Sequence, residues 1–184
     1  MDTLETPKYG HAARFAPQSN KFPLTGCDHF ALPARDPEAS GKFFEQVLGA
    51  TEFLRAGFGG HGRLRHIFYH VGSVLVELVE QRAESGYPDH TNPNGVEANP
   101  HWAFGTTPAG LLAFIENLRR EGIPYDAIRQ HGSEISASSV YFLDPDENIL
   151  EVTTWETLPN DFPIPVIPGK RVPSAQLKHS WKPH

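Results

Sequence analysis

Apolar residues in the first half of the chain follow the period of a helix in one place and that of a strand in four others. Those between Phe43 and Leu48 recur at helical spacing, and Gly49 follows them, which predicts a helix over about 36–48 that ends at this glycine. Alternating apolar positions and β-branched residues predict strands over 27–34, 51–55, 64–71 and 73–81. Residues 25–81 are therefore predicted to form one βαβββ module.

The second half of the chain repeats this order of elements. The pattern predicts a strand over 101–106, a helix over 108–120, and strands near 125–129, 139–143 and 149–155. The sequence His-Phe-Ala at 29–31 recurs as His-Trp-Ala at 101–103, and Val-Glu-Leu at 76–78 recurs as Leu-Glu-Val at 150–152. A duplicated module, with copies at 25–81 and 101–156 and a connector at 82–100, is the simplest explanation.

The two ends of the chain differ from the middle. Residues 1–24 and 157–184 are rich in proline and show no periodic apolar pattern. Because proline is excluded from helix interiors and central strands, these segments are predicted to be an extended N-terminal arm and a C-terminal tail. Both are expected to run over the surface of the domain or over a second subunit.

Composition excludes several classes of protein. Hydrophobic residues make up 39% of the chain, enough for a packed core, while the net charge of −6 and the lack of a Lys/Arg stripe argue against a nucleic-acid partner. The single cysteine, Cys27, excludes an intrachain disulfide and a thiolate zinc cluster. No stretch approaches the ~20 apolar residues of a membrane span, and residues 1–25 do not resemble a signal peptide. We expect a cytoplasmic protein with no membrane partner.

Two histidines and two glutamates occupy equivalent positions in the two copies. His29 and His101 lie on the first strand of each module, and Glu77 and Glu151 lie between apolar residues on the last. Each of them alone is also compatible with a hydrogen-bonded core residue or a solvent-facing one. If a pseudo-twofold axis relates the modules, the four side chains converge from four strands on one point. Such a set suits one divalent metal ion, namely Zn, Fe(II), Mn, Ni or Co.

Three segments resemble the vicinal oxygen chelate superfamily, which includes glyoxalase I, methylmalonyl-CoA epimerase, extradiol dioxygenases and fosfomycin-resistance thiol transferases. They are Asp-His-Phe-Ala-Leu-Pro at 28–33, Phe-Phe-Glu-Gln-Val-Leu-Gly at 43–49, and Val-Tyr-Phe-Leu-Asp-Pro-Asp at 140–146 followed by Leu-Glu at 150–151. The resemblance implies an α+β fold in which the two tandem βαβββ modules form an open eight-stranded barrel around a metal site. It also implies metal ligands at His29, His101 and Glu151, with Glu77 at the fourth position.

The chemistry depends on residues around the metal, since the fold alone does not name a reaction. In glyoxalases and epimerases four ligands bind the metal and a carboxylate moves a proton next to a carbonyl, a role that Glu77 or Glu151 fits. The arginine that binds glutathione in that branch is absent, because Pro33 stands near its place. The preferred prediction is therefore a metal-dependent lyase or isomerase that acts on a small metal-chelating substrate other than a glutathione adduct.

Three alternatives stay open. His131, Tyr141 and Glu151 come close to the signature of Fe(II) extradiol dioxygenases, in which the first two would be acid/base and hydrogen-bonding groups, although a fourth ligand at Glu77 counts against this branch. A fosfomycin-type thiol transferase is less favoured, because Ala31 and Asn160 replace an expected threonine and arginine. A bleomycin-type binding protein has no reason to keep four ligand positions. Since the superfamily commonly pairs modules within or between chains, a homodimer is also expected.

Overall fold

The computed structural model describes residues 27–59, 64–81, 100–131, 137–167 and 171–184. The predicted N-terminal arm and nearly all of the predicted connector lie outside these residues. The first module consists of β1 (His29–Ala34), α1 (Pro37–Leu48), β2 (Thr51–Ala56), β3 (His66–Val71) and β4 (Val74–Glu80). The second consists of β5 (Trp102–Gly105), α2 (Pro108–Arg120), β6 (Arg129–Gln130), β7 (Ser138–Leu143) and β8 (Ile149–Thr154), and a 3₁₀ helix (Ser174–Leu177) follows in the C-terminal segment.

Each module forms a four-stranded mixed sheet with the same topology. The strand orders are β1-β4-β3-β2 and β5-β8-β7-β6, and the first strand of each module runs parallel to the last. The predicted α+β fold with two βαβββ modules is confirmed. The two sheets remain separate and do not close into a barrel, which agrees with the expected open arrangement.

Both helices begin and end at residues that the sequence marks. Asp36 caps α1 by accepting a hydrogen bond from the backbone N–H of Glu38, and Thr107 caps α2 in the same way through Gly110. Gly49, predicted as the stop of the first helix, has a φ of 66° and its N–H bonds to the carbonyl of Phe44. A left-handed residue at this position costs glycine little, which explains why α1 ends there.

One predicted strand is much shorter than expected. The pattern predicts a strand over 125–129, but Tyr125 forms only an isolated bridge with Phe142, and β6 covers only Arg129–Gln130. The backbone here is bonded elsewhere, because the carbonyl of Ile128 accepts from the N–H of Ile167 in the C-terminal segment. A segment from outside the module thus replaces part of the expected sheet ladder.

One hydrophobic core joins the two modules. Alternate residues of the ligand-bearing strands enter it, including Leu32, Val76, Leu150 and Val152, together with apolar residues of both helices. Polar contacts also join the modules: the Asp146 carboxylate accepts from the backbone N–H of Arg35 and from the hydroxyl of Ser40. The faces of the two sheets that do not enter this core carry the predicted ligands.

Gly41 is the residue of α1 that lets the helix lie against the first sheet. A Cβ atom at this position would stand 2.8 Å from Cζ of the buried Tyr69 ring and still closer to its hydroxyl. We expect Gly41→Ala to lower the free energy of unfolding by about 1–3 kcal/mol, because overpacking outweighs the better helix propensity of alanine. Denaturant unfolding monitored by circular dichroism measures this. Gly59→Ala is the matched control, since nothing lies within 4 Å of a Cβ there, and equal losses in the two variants would contradict the explanation.

Candidate functional site

The parallel strand pairs place a histidine beside a glutamate in each module. In the first, Ala31 is opposite Glu77, and Nε2 of His29, on the same face as Ala31, lies 3.6 Å from Oε2 of Glu77. In the second, Ala103 is opposite Glu151, and Nε2 of His101 lies 3.1 Å from Oε2 of Glu151. The two pairs are therefore equivalent by the repeat.

A second histidine contacts each carboxylate. Nδ1 of His66, at the start of β3, lies 2.8 Å from Oε1 of Glu77. Nε2 of His131, just after β6, lies 3.2 Å from Oε1 of Glu151. We call His29, Glu77 and His66 the first cluster, and His101, Glu151 and His131 the second cluster. His131 was singled out by the sequence motif, whereas the only signal for His66 was its place on the same strand face as Phe68.

The second cluster keeps its carboxylate ionised. Glu151 is only 5% exposed, and burial by itself would raise its pKa. Hydrogen bonds from His101, His131 and Ser139 outweigh burial and hold the pKa of Glu151 well below its usual range. A carboxylate that stays anionic throughout the physiological range, with imidazoles on both oxygens, is suited to bind a cation.

His29 is oriented by its neighbour in the chain. Its Nδ1 lies 2.7 Å from the carboxylate of Asp28, which leaves Nε2 directed toward Glu77. The hydrogen bond to Asp28 raises the pKa of His29, opposed by burial and aided by the charge of Glu77. A carboxylate on the far nitrogen is the arrangement that commonly orients metal-binding histidines.

Tyr141 lies beside the second cluster, where the sequence motif places it. Its hydroxyl is 3.4 Å from Nε2 of His101, and the two rings meet edge to face at 5.1 Å. Three further residues, which the sequence gave no reason to select for the site, lie next to it: Ser139, Asp126 and Arg171. Arg171 comes from the C-terminal segment, and its guanidinium stacks on the Tyr141 ring at 4.4 Å from the ring centre.

The structure brings the predicted ligands together as two pairs. Each pair has the imidazole and carboxylate donors that divalent metals accept. Across the part of the chain that the structure describes, however, no three His, Cys, Asp or Glu side chains are grouped so that they could hold a metal ion. The residues of one chain thus do not fit a single four-ligand centre, and that centre stays a prediction.

Comparison with known proteins agrees with the fold. The family model described as the glyoxalase/bleomycin resistance protein/dioxygenase superfamily matches residues 26–152. No protein with a curated function matches the sequence significantly. Within the described ranges, no helix has the length and apolar character needed to cross a membrane.

Three solved structures illustrate the similarity of fold. The fosfomycin resistance protein FosX from Listeria monocytogenes, in complex with Mn(II) and sulfate, is 17% identical with a TM-score of 0.54, covering 71% of this chain and 93% of its own. A glyoxylase/bleomycin resistance protein/dioxygenase domain from Frankia sp. is 21% identical with a TM-score of 0.57, covering 72% and 93%. Lactoylglutathione lyase from Agrobacterium tumefaciens is 23% identical with a TM-score of 0.52, covering 72% and 96%.

Identities this low carry the fold and not the activity, but the family model spans most of the chain. Both copies of the βαβββ module lie largely within the matched residues. The strand topology, the repeat and the family model agree, and the chain belongs to the glyoxalase/bleomycin resistance protein/dioxygenase superfamily.

Proposed function

We propose that this protein is a divalent-metal-dependent enzyme, a lyase or isomerase of the glyoxalase type, that moves a proton at a carbon next to an oxygen of a small substrate. The observation that carries the proposal is the pair of equivalent clusters, each with one carboxylate between two imidazoles. Both clusters lie on sheet faces that do not enter the core. Residues kept only for packing would not need this repeated polar arrangement.

The two glutamates are suited to different tasks. A general base works best when its pKa lies near the operating pH, and the depressed pKa of Glu151 makes it a poor proton acceptor. Glu151 is therefore assigned to binding. Glu77, whose side chain is 13% exposed, is assigned as the base, and His66 holds one of its oxygens. A divalent ion held by the predicted ligands would polarise the substrate oxygen and stabilise the charge left by proton removal.

The metal and its setting complete the proposal. Imidazole and carboxylate donors accept Zn, Ni, Co, Mn or Fe(II), so the donor set alone does not choose among them. The substrate is a small molecule with two neighbouring oxygens. A homodimer in the cytoplasm is the setting that we propose for it.

Metal content and oxygen uptake test the reaction class. We expect the full-length protein, purified under anaerobic conditions, to contain a stoichiometric divalent metal and to consume no oxygen with a panel of catechols. With a panel of small carbonyl compounds that carry a second oxygen, we expect exchange of the adjacent hydrogen with deuterated solvent. Absence of metal even after reconstitution would leave a binding protein and contradict the proposal.

Glu77→Gln tests the assigned base. The amide keeps the shape of the side chain but cannot accept the proton, so we expect hydrogen exchange to fall by about 10²–10⁴-fold while the unfolding midpoint changes little. Glu80→Gln is the matched control, because it removes a charge from the same strand but from the ion pair with Arg65. Full activity of the Glu77 variant would show that this carboxylate is not the base.

The second candidate is Fe(II) extradiol ring cleavage. It is favoured by the positions of His131 and Tyr141, which lie within 3.2 Å of Glu151 and 3.4 Å of His101 respectively. These are the two groups that the resemblance assigns to acid/base and hydrogen-bonding roles in that branch. Stoichiometric iron, oxygen consumption with a catechol and tolerance of Glu77→Gln would together select this alternative.

A further inference from the structure

The C-terminal segment brings a buried arginine to the second cluster. Arg171 lies outside the residues that match the family model and is 7% exposed. Its Nη1 donates to the carboxylate of Asp126 at 3.2 Å and to the carbonyl of Ser139 at 3.3 Å. Its Nη2 donates to the carbonyl of Arg129 at 3.2 Å and to the hydroxyl of Ser139 at 2.8 Å. The guanidinium is thus fixed from four sides.

This one side chain contacts two residues that in turn touch predicted ligands. It stacks on Tyr141, whose hydroxyl approaches His101, and it donates to Ser139, whose hydroxyl oxygen is 2.6 Å from Nε2 of His131. Ser139 also forms a hydrogen bond with Glu151. Arg171 therefore supports the second cluster from both sides of its carboxylate.

The hydrogen-bond capacity of Ser139 determines the direction of the network. A serine hydroxyl has one proton to donate and can accept two hydrogen bonds. Arg171 can only donate to it, and the ionised Glu151 can only accept from it. The remaining contact is then a hydrogen bond from the Nε2–H of His131 to Ser139, and the same N–H faces Glu151 at 3.2 Å. The network thus assigns the proton-bearing nitrogen of His131.

We propose that Arg171 is a positioning residue of the site, supplied by a segment beyond the family domain. It holds Ser139 and Tyr141 so that His131 and His101 keep their orientation toward Glu151. The hydrogen-bond arrangement stands by itself, and its service to a catalytic centre rests on the proposed function. Outer partners of this kind change metal affinity by about 10–100-fold when they are removed.

Arg171→Lys separates positioning from charge. Lysine keeps a positive charge for Asp126 but lacks the planar fork that reaches Ser139 and stacks on Tyr141. In histidine-selective NMR spectra of the metal-free full-length protein we expect the ring signals of His101 and His131 to shift. The signal of His179, which reports that the C-terminal segment stays bound through the carbonyl of Leu143, should not move. Mn²⁺ affinity measured by calorimetry should fall by about 10–100-fold.

Ser139→Ala is the companion variant and should shift the His131 signal without moving that of His179. If Arg171→Lys does not fold, Arg171→Met combined with Asp126→Asn removes both buried charges together and permits the same measurement. A folded Arg171 variant with wild-type signals for His101 and His131 would overturn the proposal, as would an equal shift of His179. If the wild-type protein binds no Mn²⁺, the proposed function fails, while the NMR spectra still decide whether Arg171 positions these histidines.

Discussion

Deletion of residues 171–184 is expected to leave a chain with no cooperative unfolding transition at room temperature. This C-terminal segment fills part of the interior: Leu177 is 3% exposed and packs with Tyr141, Leu143 and Ile149. Trp181 meets the ring of Phe43 edge to face at 5.2 Å. Loss of a buried leucine alone costs about 2–5 kcal/mol, and exposing an unpaired buried charge about 3–5 kcal/mol.

The charge left behind is Asp126. This carboxylate is 2% exposed, and deletion of the segment removes its bond to Arg171, leaving Arg129 as its remaining ion-pair partner among the described residues. Typical domains are stable by only about 5–15 kcal/mol, so the combined losses are comparable with the whole stability. Circular dichroism and denaturant unfolding of the shortened chain measure the effect directly.

Two controls separate packing from mere shortening. Removing only 182–184, which are exposed, should shift the unfolding midpoint slightly, since the losses are the contacts of His184 with Glu121 and Gln46. Leu177→Ala in the full chain should give an intermediate loss of about 2–5 kcal/mol. A shortened chain that unfolds at the wild-type midpoint would show that the segment only rests on the surface.

Local patterns were enough to predict the modules. Helix α1 follows from its apolar spacing, from Asp36 as a cap and from Gly49 as a stop, all of which act within a few residues. The strands that carry the ligands follow from alternation, and the repeat places His29 and His101 at equivalent positions. Alternation also determines which face of a strand each side chain lies on, and this is why the two histidine–glutamate contacts could be predicted.

The remaining features depend on contacts between distant segments. The C-terminal segment shows no periodicity, and nothing near Arg171 in the sequence indicates that it pairs with Asp126. The short β6 has the same origin, because the carbonyl of Ile128 is taken by Ile167. Whether the two ligand pairs form one centre depends on how the two sheets lie relative to each other, and strand alternation does not determine this.

Replacing one histidine in each pair shows whether the pairs act as one centre. If a single metal uses His29, Glu77, His101 and Glu151, then His29→Ala and His101→Ala should each lower metal affinity by more than the ~100-fold that outer partners cost. If each cluster binds separately, each variant should lose about half of the bound metal and keep the affinity of the rest. Elemental analysis and chelator competition on the purified variants measure content and affinity.

His70→Ala is the control for these variants. His70 is an exposed histidine on the same strand as His66 and contacts Phe53 rather than either glutamate, so its loss should change neither metal content nor affinity. Since His29 is exposed and His101 only partly buried, all three variants are expected to fold, which circular dichroism verifies. Because the described chain groups the ligands only in pairs, loss of all metal in both His29→Ala and His101→Ala would mean that the pairs come together when metal binds or when two chains associate. Loss in His101→Ala alone would confine the centre to the second cluster and remove Glu77 from the ligand set.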